Sequence, residues 1–426
     1  MASVAVIGLG YVGLTTAVGL GKLGHNVLGL DIDTSKVVAL ASGKSPIFEN
    51  GLENALEELI ATGSMKFKDQ LEAIVDFKPE FTFICVATPQ DASGAADLSI
   101  LNSVANQISP LVPTGSILVV KSTVPVGTGQ SLVDSVDRKD SFIASNPEFL
   151  REGTALKDFM EPDRIVVGSN SMEASSRVLS LYSAIDAPKV QTSLESSELI
   201  KYAANAYLAM RLSFTNDLAA LAEKANANVD QVLTSMGLDS RIGSSFLKPG
   251  PGWGGSCFPK DTSALLAIAN KLGAPLPLVE AAVSSNQAAL ARAVDAIEDL
   301  VGGDLTNKIV AVWGVAFKAH TDDIRDSPAV NIITALLKKG AMVQAFDPVA
   351  VAPELKGLTR AASALESVSG ADVLTVLTEW PEFAEVSPEA VAKAMRFPAV
   401  FDARRILPTS WIPHFSAFRA IGELSK

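Results

Sequence analysis

Short apolar, β-branched runs at Ser3 to Ile7, Val27 to Leu30, Phe81 to Val86, Ser116 to Val120 and Ile165 to Val167 alternate with amphipathic segments of helix length. That alternation predicts a doubly wound parallel sheet. Strands buried on both faces read as continuous apolar runs, and each parallel pair needs a crossover helix. From about Ser193 to Ala291 the pattern becomes Ala- and Leu-rich with helical periodicity, and few breakers interrupt it between Ser197 and Ala225. After Gly302 and Gly303 the strand and helix alternation resumes, at Lys308 to Trp313, Met342 to Phe346, Val373 to Leu377 and Ala399 to Phe401. The expected architecture is α/β, with two doubly wound domains over 1–192 and 303–426 joined by a long-helix central domain over 193–302.

The first strand runs into Gly8-Leu9-Gly10-Tyr11-Val12-Gly13 and then into a helical pattern. This is the setting a dinucleotide-binding G-x-G-x-x-G turn requires, and it makes the ends Rossmann-like. Gly8 permits the tight turn, Gly10 lets backbone approach a pyrophosphate, and Gly13 lets helix pack on strand; the helix N-terminus stabilises the anion. Asp31 ends the second strand, where a carboxylate accepts hydrogen bonds from an adenosine ribose and repels a 2′-phosphate, so NAD is favoured over NADP. Lys36 lies close enough in sequence to temper that preference. Thr88 and Pro89 close another strand at the end that faces a ligand in such sheets. Cys85, inside the apolar run, reads as a core thiol.

Charge and cysteine content narrow the partners. A formal net charge of −12 disfavours nucleic acid and anionic membrane surfaces. Two cysteines in 426 residues make no disulfide framework and fit a reducing compartment. The N-terminus lacks a signal-peptide pattern, and no apolar run approaches the ~20 residues needed to span a bilayer, so a cytoplasmic protein is expected. His25, His320 and His414 lack metal-ligand spacing, so no metal is expected.

Cys257 sits between paired glycines and a predicted helix start, with Pro259 suited to the first turn. A helix N-terminus favours thiolate, the reactive nucleophile, and the glycines leave room for a substrate carbon. Lys201 and Asn205, four residues apart in a helical stretch, share a face and can serve one site.

Four segments carry more polar function than a fold demands: Lys121 to Thr128, Asn146 to Gly153, Lys201 to Asn205, and Gly254 to Asp261. Together with Gly314 to Lys318 and Thr321 to Pro328, they resemble the UDP-glucose/GDP-mannose dehydrogenase family nearly end to end. The resemblance implies NAD-dependent four-electron oxidation of a nucleotide sugar, UDP-glucose in the first instance, to the carboxylate through a thiohemiacetal and thioester on Cys257. It implies that Lys201 stabilises oxyanion charge, Asn205 positions it, and Asp261 orders the lysine and a water. Glu148 and Thr123 direct water onto the thioester. Glu152, Lys260 and Arg325 join the cofactor contacts, and Arg325 also resembles a residue that reaches the substrate, with supply across a subunit interface one of its readings. Phe149, Leu150, Arg151, Arg241, Phe246, Leu247, Lys248, Gly252, Trp253, Gly254, Phe317, Lys318 and Arg405 join the substrate contacts, although Arg404 and Arg405 cannot be separated by sequence. A homodimer is expected, with the helical middle at its core.

Relatives oxidise GDP-mannose or UDP-N-acetylmannosamine by the same chemistry. Trp253, where a smaller aromatic is frequent, and Ala319-His320, in place of a frequent Pro-Asn pair, leave fine sugar selectivity open. An epimerase would need a Tyr-x-x-x-Lys base, and no tyrosine here has a lysine four residues on. A two-electron hydroxyacid dehydrogenase would have no use for Cys257, and a non-catalytic NAD-sensing protein none for Glu148, Lys201 and Asp261.

Overall fold

The computed structural model describes residues 1–91, 94–136 and 142–423. The chain divides into two compact units. The first comprises 1–204 with 263–274, and the second 205–262 with 275–426. The helical segment expected over 193–302 is therefore shared by both, and the helix Leu194–Ala225 crosses the division after Ala204.

In the first unit eight strands form one sheet: β1 (Ser3–Ile7), β2 (Asn26–Leu30), β3 (Met65–Lys68), β4 (Phe81–Ile84), β5 (Ile117–Val120), β6 (Phe142–Ser145), β7 (Ile165–Ser169) and β8 (Lys189–Thr192). Their order is β3-β2-β1-β4-β5-β6-β7-β8, and the pairing is parallel except where β7 runs against β6. The alternation along each strand explains the two covered faces. Val4, Val6, Phe83 and Val119 belong to one apolar layer, while Ile7, Ile84, Leu118 and Val120 belong to the other. The strand order reverses at β1 and β4, where open α/β sheets bind ligands.

The second unit holds β9 (Ile309–Trp313), β10 (Met342–Phe346), β11 (Leu358–Arg360), β12 (Val373–Val376), β13 (Ala399–Asp402) and β14 (Ala417–Ala420), all parallel, in the order β11-β10-β9-β12-β13-β14. Val310, Val312 and Val343 face one layer, and Ala311, Trp313 and Leu374 the other. Strands β3, β6, β8, β11 and β14 went unforeseen because they are three or four residues long, several with charged or polar positions. Among the described residues no helix is long and apolar enough to cross a membrane.

Candidate active site

In the first unit the turn after β1 is held by Gly8 N–H donating to the Leu30 carbonyl at 2.8 Å. Gly8 has φ +84°, and a Cβ there would stand 2.8 Å from the Cys85 carbonyl oxygen. A Cβ on Gly13 would stand 1.7 Å from the Gly8 carbonyl oxygen, so only glycine lets the helix Tyr11–Lys22 leave the turn this closely. Gly10, by contrast, faces open space and carries no side chain to fill it. This bare helix N-terminus, with no acidic residue in its first turn, fits a pyrophosphate.

Asp31 supports the turn. Its Oδ2 accepts from Leu9 N–H and from Lys36 Nζ, both at 2.8 Å, and its Oδ1 accepts from Asp33 N–H at 3.0 Å. Burial raises the Asp31 carboxyl, but these hydrogen bonds outweigh it and hold the group below the usual carboxylate range. Lys36 is thus the ion-pair partner of Asp31. Tyr11 donates to Glu49 and accepts from Gly153 N–H at 2.6 Å, pinning the loop that carries Glu152. Burial and the Glu49 contact push the Tyr11 phenol above its ordinary range.

Cys85 follows β4 and packs on the apolar core, and burial pushes its thiol up to about 12, as suits an inert position. Thr88 donates to the Thr123 carbonyl at 2.9 Å, joining the segments after β4 and β5; Pro89 is exposed beside it.

After β6, Glu148 is buried. Its Oε1 accepts from Lys201 Nζ at 2.8 Å and its Oε2 from Leu150 N–H at 2.6 Å. Burial raises the Glu148 carboxyl, but the Lys201 charge and hydrogen bond prevail and hold it below its usual range. Two cations stand over the Phe149 ring, Arg164 at 3.8 Å and Lys201 at 5.6 Å from its centre. Leu150 packs on the core, and Arg151 pairs with Asp158 at 2.6 Å. Sequence reasoning missed Glu198, whose two oxygens accept from Gly127 N–H and Gly129 N–H, each at 2.6 Å. It also passed over Glu49; no motif isolates either residue, and burial is the signal that marks them.

In the second unit Cys257 directly precedes the helix Phe258–Lys271, and its carbonyl takes the first helical hydrogen bond from Asp261 N–H at 2.8 Å. The thiol therefore stands at a helix N-terminus, partly exposed, outside any disulfide. Asp261 is buried between Asn205 Nδ2 at 2.5 Å and Lys260 Nζ at 2.7 Å. The glycines before Cys257 also stand against the chain itself. A Cβ on Gly254 would meet the Asp326 carbonyl at 2.0 Å, and one on Gly255 would meet the Phe317 ring at 2.8 Å. They admit the chain's own backbone and ring.

Beside this segment lies a cavity of about 260 Å³ lined by Phe246, Lys248, Gly252, Trp253, Gly254, Phe317, Lys318, Glu379 and Arg404, among others. Leu247 is buried behind the loop. Trp253 is fixed by Asn286, which accepts from its backbone N–H at 2.8 Å, and by Ser213 Oγ, which accepts from Nε1 at 2.9 Å. Two cations and a guanidinium around aromatic rings suit a diphosphate carrying a planar base.

Three residues predicted to contact ligand do not line this cavity. Arg405 has φ +54° and turns into an ion-pair cluster with Asp230 and Glu423, so the adjacent Arg404 lines the cavity instead. Arg241 is exposed and pairs with Asp239, and Arg325 is exposed and pairs with Asp323. Glu379, which the sequence did not single out, stands 3.2 Å from Arg404 Nε.

Three sequence models of the UDP-glucose/GDP-mannose dehydrogenase family match the chain: the NAD binding domain over residues 2–186, the central domain over 195–288, and the UDP binding domain over 311–409. The chain is 40% identical over 420 residues to the UDP-glucose 6-dehydrogenase TuaD of Bacillus subtilis, covering 95% of this chain and 90% of that protein. It is 41% identical over 420 residues to a UDP-glucose 6-dehydrogenase of Rhizobium meliloti, covering 95% of each. Its fold is similar to the solved UDP-glucose dehydrogenase of Pyrobaculum islandicum, with a TM-score of 0.92 and 35% identity over 100% of this chain and 98% of that one.

Proposed function

The chain belongs to the UDP-glucose/GDP-mannose dehydrogenase family, and from that membership we propose that it oxidises the C6 hydroxymethyl of UDP-glucose to the carboxylate of UDP-glucuronate. The balance is one alcohol and one water consumed with two NAD, yielding the carboxylate, two NADH and three protons. NAD, when held by the Gly8–Gly13 turn and Asp31, supplies the hydride acceptor in each of two steps.

The chain's residues divide the remaining work. Lys201 hydrogen-bonds the substrate oxygen as the first hydride leaves and the hydroxyl proton passes to water, offsetting the charge that develops there. Cys257 attacks the resulting aldehyde, its sulfur bonding to C6 to give a thiohemiacetal, so the reactive carbonyl stays bound. Loss of the second hydride converts that adduct to a thioester. Glu148, with Thr123 and Asp261, then takes a proton from water as it attacks the thioester carbon, and the thiolate leaves. Asn205 keeps Asp261 oriented. Lys248, Lys318 and Arg404 bind the diphosphate and base.

Cys257 at its helix N-terminus is the observation that best supports this reading, because a single hydride transfer has no use for a nucleophilic thiol. The test is NADH formed per UDP-glucose consumed, beside Cys257→Ala, GDP-mannose and UDP-N-acetylmannosamine. Two per UDP-glucose, abolished by the substitution, is expected. One NADH, or two only with another sugar nucleotide, would overturn the assignment.

We infer a homodimer as well. Tyr207, Phe214 and Leu221 are 61%, 55% and 63% exposed and recur every seven residues on one face of the helix Leu194–Ala225, an apolar stripe that a symmetric copy can cover. Phe214→Glu should then yield monomers in light scattering, and an unchanged mass would count against the stripe.

A further inference from the structure

Lys121, the residue after β5, is 5% exposed, and Nζ donates to the Asn146 side-chain oxygen at 3.1 Å. That same oxygen accepts from the Tyr182 hydroxyl at 2.7 Å, while Asn146 Nδ2 donates to the Val166 carbonyl at 2.8 Å. Asn146 is thus held on three sides, and with it the turn that presents Glu148. Lys121, Asn146, Glu148 and Tyr182 line one small cavity of about 80 Å³. An ammonium buried against a neutral amide is costly to desolvate, and a methionine would pack at lower cost. Burial pulls Lys121 down to about 8.

The groups around it account for the charge. Lys121 senses Cys85, Glu148 and Lys201, and Glu148 in turn faces Lys201, Lys121 and Cys85. In the proposed reaction Lys201 turns part of its hydrogen bonding to the substrate oxygen and so weakens its hold on Glu148. A second cation keeps that carboxylate ionised at this moment.

We propose that Lys121 is a positioning residue, which fixes the Asn146–Glu148 turn and supplies the second positive neighbour that keeps Glu148 a carboxylate during thioester hydrolysis. The inference rests on the function proposed above, so its test includes a readout that needs no turnover.

The test uses full-length Lys121→Met, Lys121→Arg and Tyr182→Phe. The Glu148 titration is followed by the carboxylate infrared band, as the difference from Glu148→Gln, and the acid limb of kcat is followed against pH. Loss of a nearby cation raises a carboxylate pKa. In Lys121→Met both should move to higher pH by about one, a tenfold change in ionisation, and Lys121→Arg should restore them. Tyr182→Phe, which removes a donor to Asn146 but no charge, should lower Tm and leave both in place. An unmoved Glu148 band in folded Lys121→Met would overturn the proposal. If Lys121→Met does not fold, a Glu148 band that moves to higher pH in Lys121→Arg, where the cation is kept, would overturn it equally. A band that moves as expected in a protein inert toward UDP-glucose would sink the proposed function and leave the Lys121–Glu148 coupling standing.

Discussion

Lys201 Nζ stands 2.8 Å from Glu148 Oε1, and both side chains are buried. In the proposed mechanism one member serves the oxidation steps and the other the hydrolysis, so their loss should stall different stages. Glu148→Gln keeps shape and an acceptor for Lys201 but removes the base. The expected result is a burst of two NADH per active site followed by a slow phase, with a UDP-sugar adduct on Cys257 in the intact mass. Lys201→Ala should instead suppress the burst. It should also destabilise the fold by about 3 kcal/mol, because it removes the ion-pair partner of a buried carboxylate. A Glu148→Gln enzyme that turns over steadily without an adduct would remove Glu148 from the hydrolytic step.

Arg404 and Arg405 should separate binding from stability. Arg404 lines the cavity, donating to the Leu377 carbonyl at 2.7 Å and the Phe317 carbonyl at 3.0 Å, whereas Arg405 is bound to Asp230, Glu423 and the Ile421 carbonyl. Arg404→Ala should raise KM for the nucleotide sugar about tenfold or more, the loss of a charge-assisted contact. Arg405→Ala should lower Tm by a few degrees and leave KM alone. The reverse pattern would return the contact to Arg405.

Glu198 predicts how stability depends on pH. Burial pushes its carboxyl up to about 7 from 4.5, although Gly129 and Gly127 N–H groups bond it. Its folded pKa lies above its unfolded one, so the native state holds an extra proton between those values. Stability therefore falls as pH rises from about 4.5 through about 7, by at most roughly 3 kcal/mol. Thermal melts of wild type and Glu198→Gln across pH 5 to 8 should show wild type losing ground to the variant as pH climbs, and parallel curves would contradict the assignment.

Much of this was legible in the chain. Periodicity alone exposed the two doubly wound sheets, because strands covered on both faces must be apolar throughout. Gly8, Gly10 and Gly13 announced the dinucleotide turn, since their spacing follows from backbone geometry. Cys257 was marked by Pro259 and the helical pattern beyond it. All of these depend on neighbours along the sequence.

What the tertiary structure alone decided depends on partners far apart in sequence. The pairing of Lys201 with Glu148 spans 53 residues, and the clasp of Glu198 on Gly127 spans 71. No local pattern encodes either, because each exists only once strands and helix are packed. Arg404 lines a cavity while Arg405 is drawn into an ion-pair cluster with Asp230 and Glu423, a separation that two adjacent arginines do not declare in sequence. Folding places the Asp326 carbonyl against Gly254 and the Phe317 ring against Gly255, contacts that no local pattern foretells. Residue type declares what chemistry a side chain can perform, and the burial and distance that settle whether it does so come only with the packed chain.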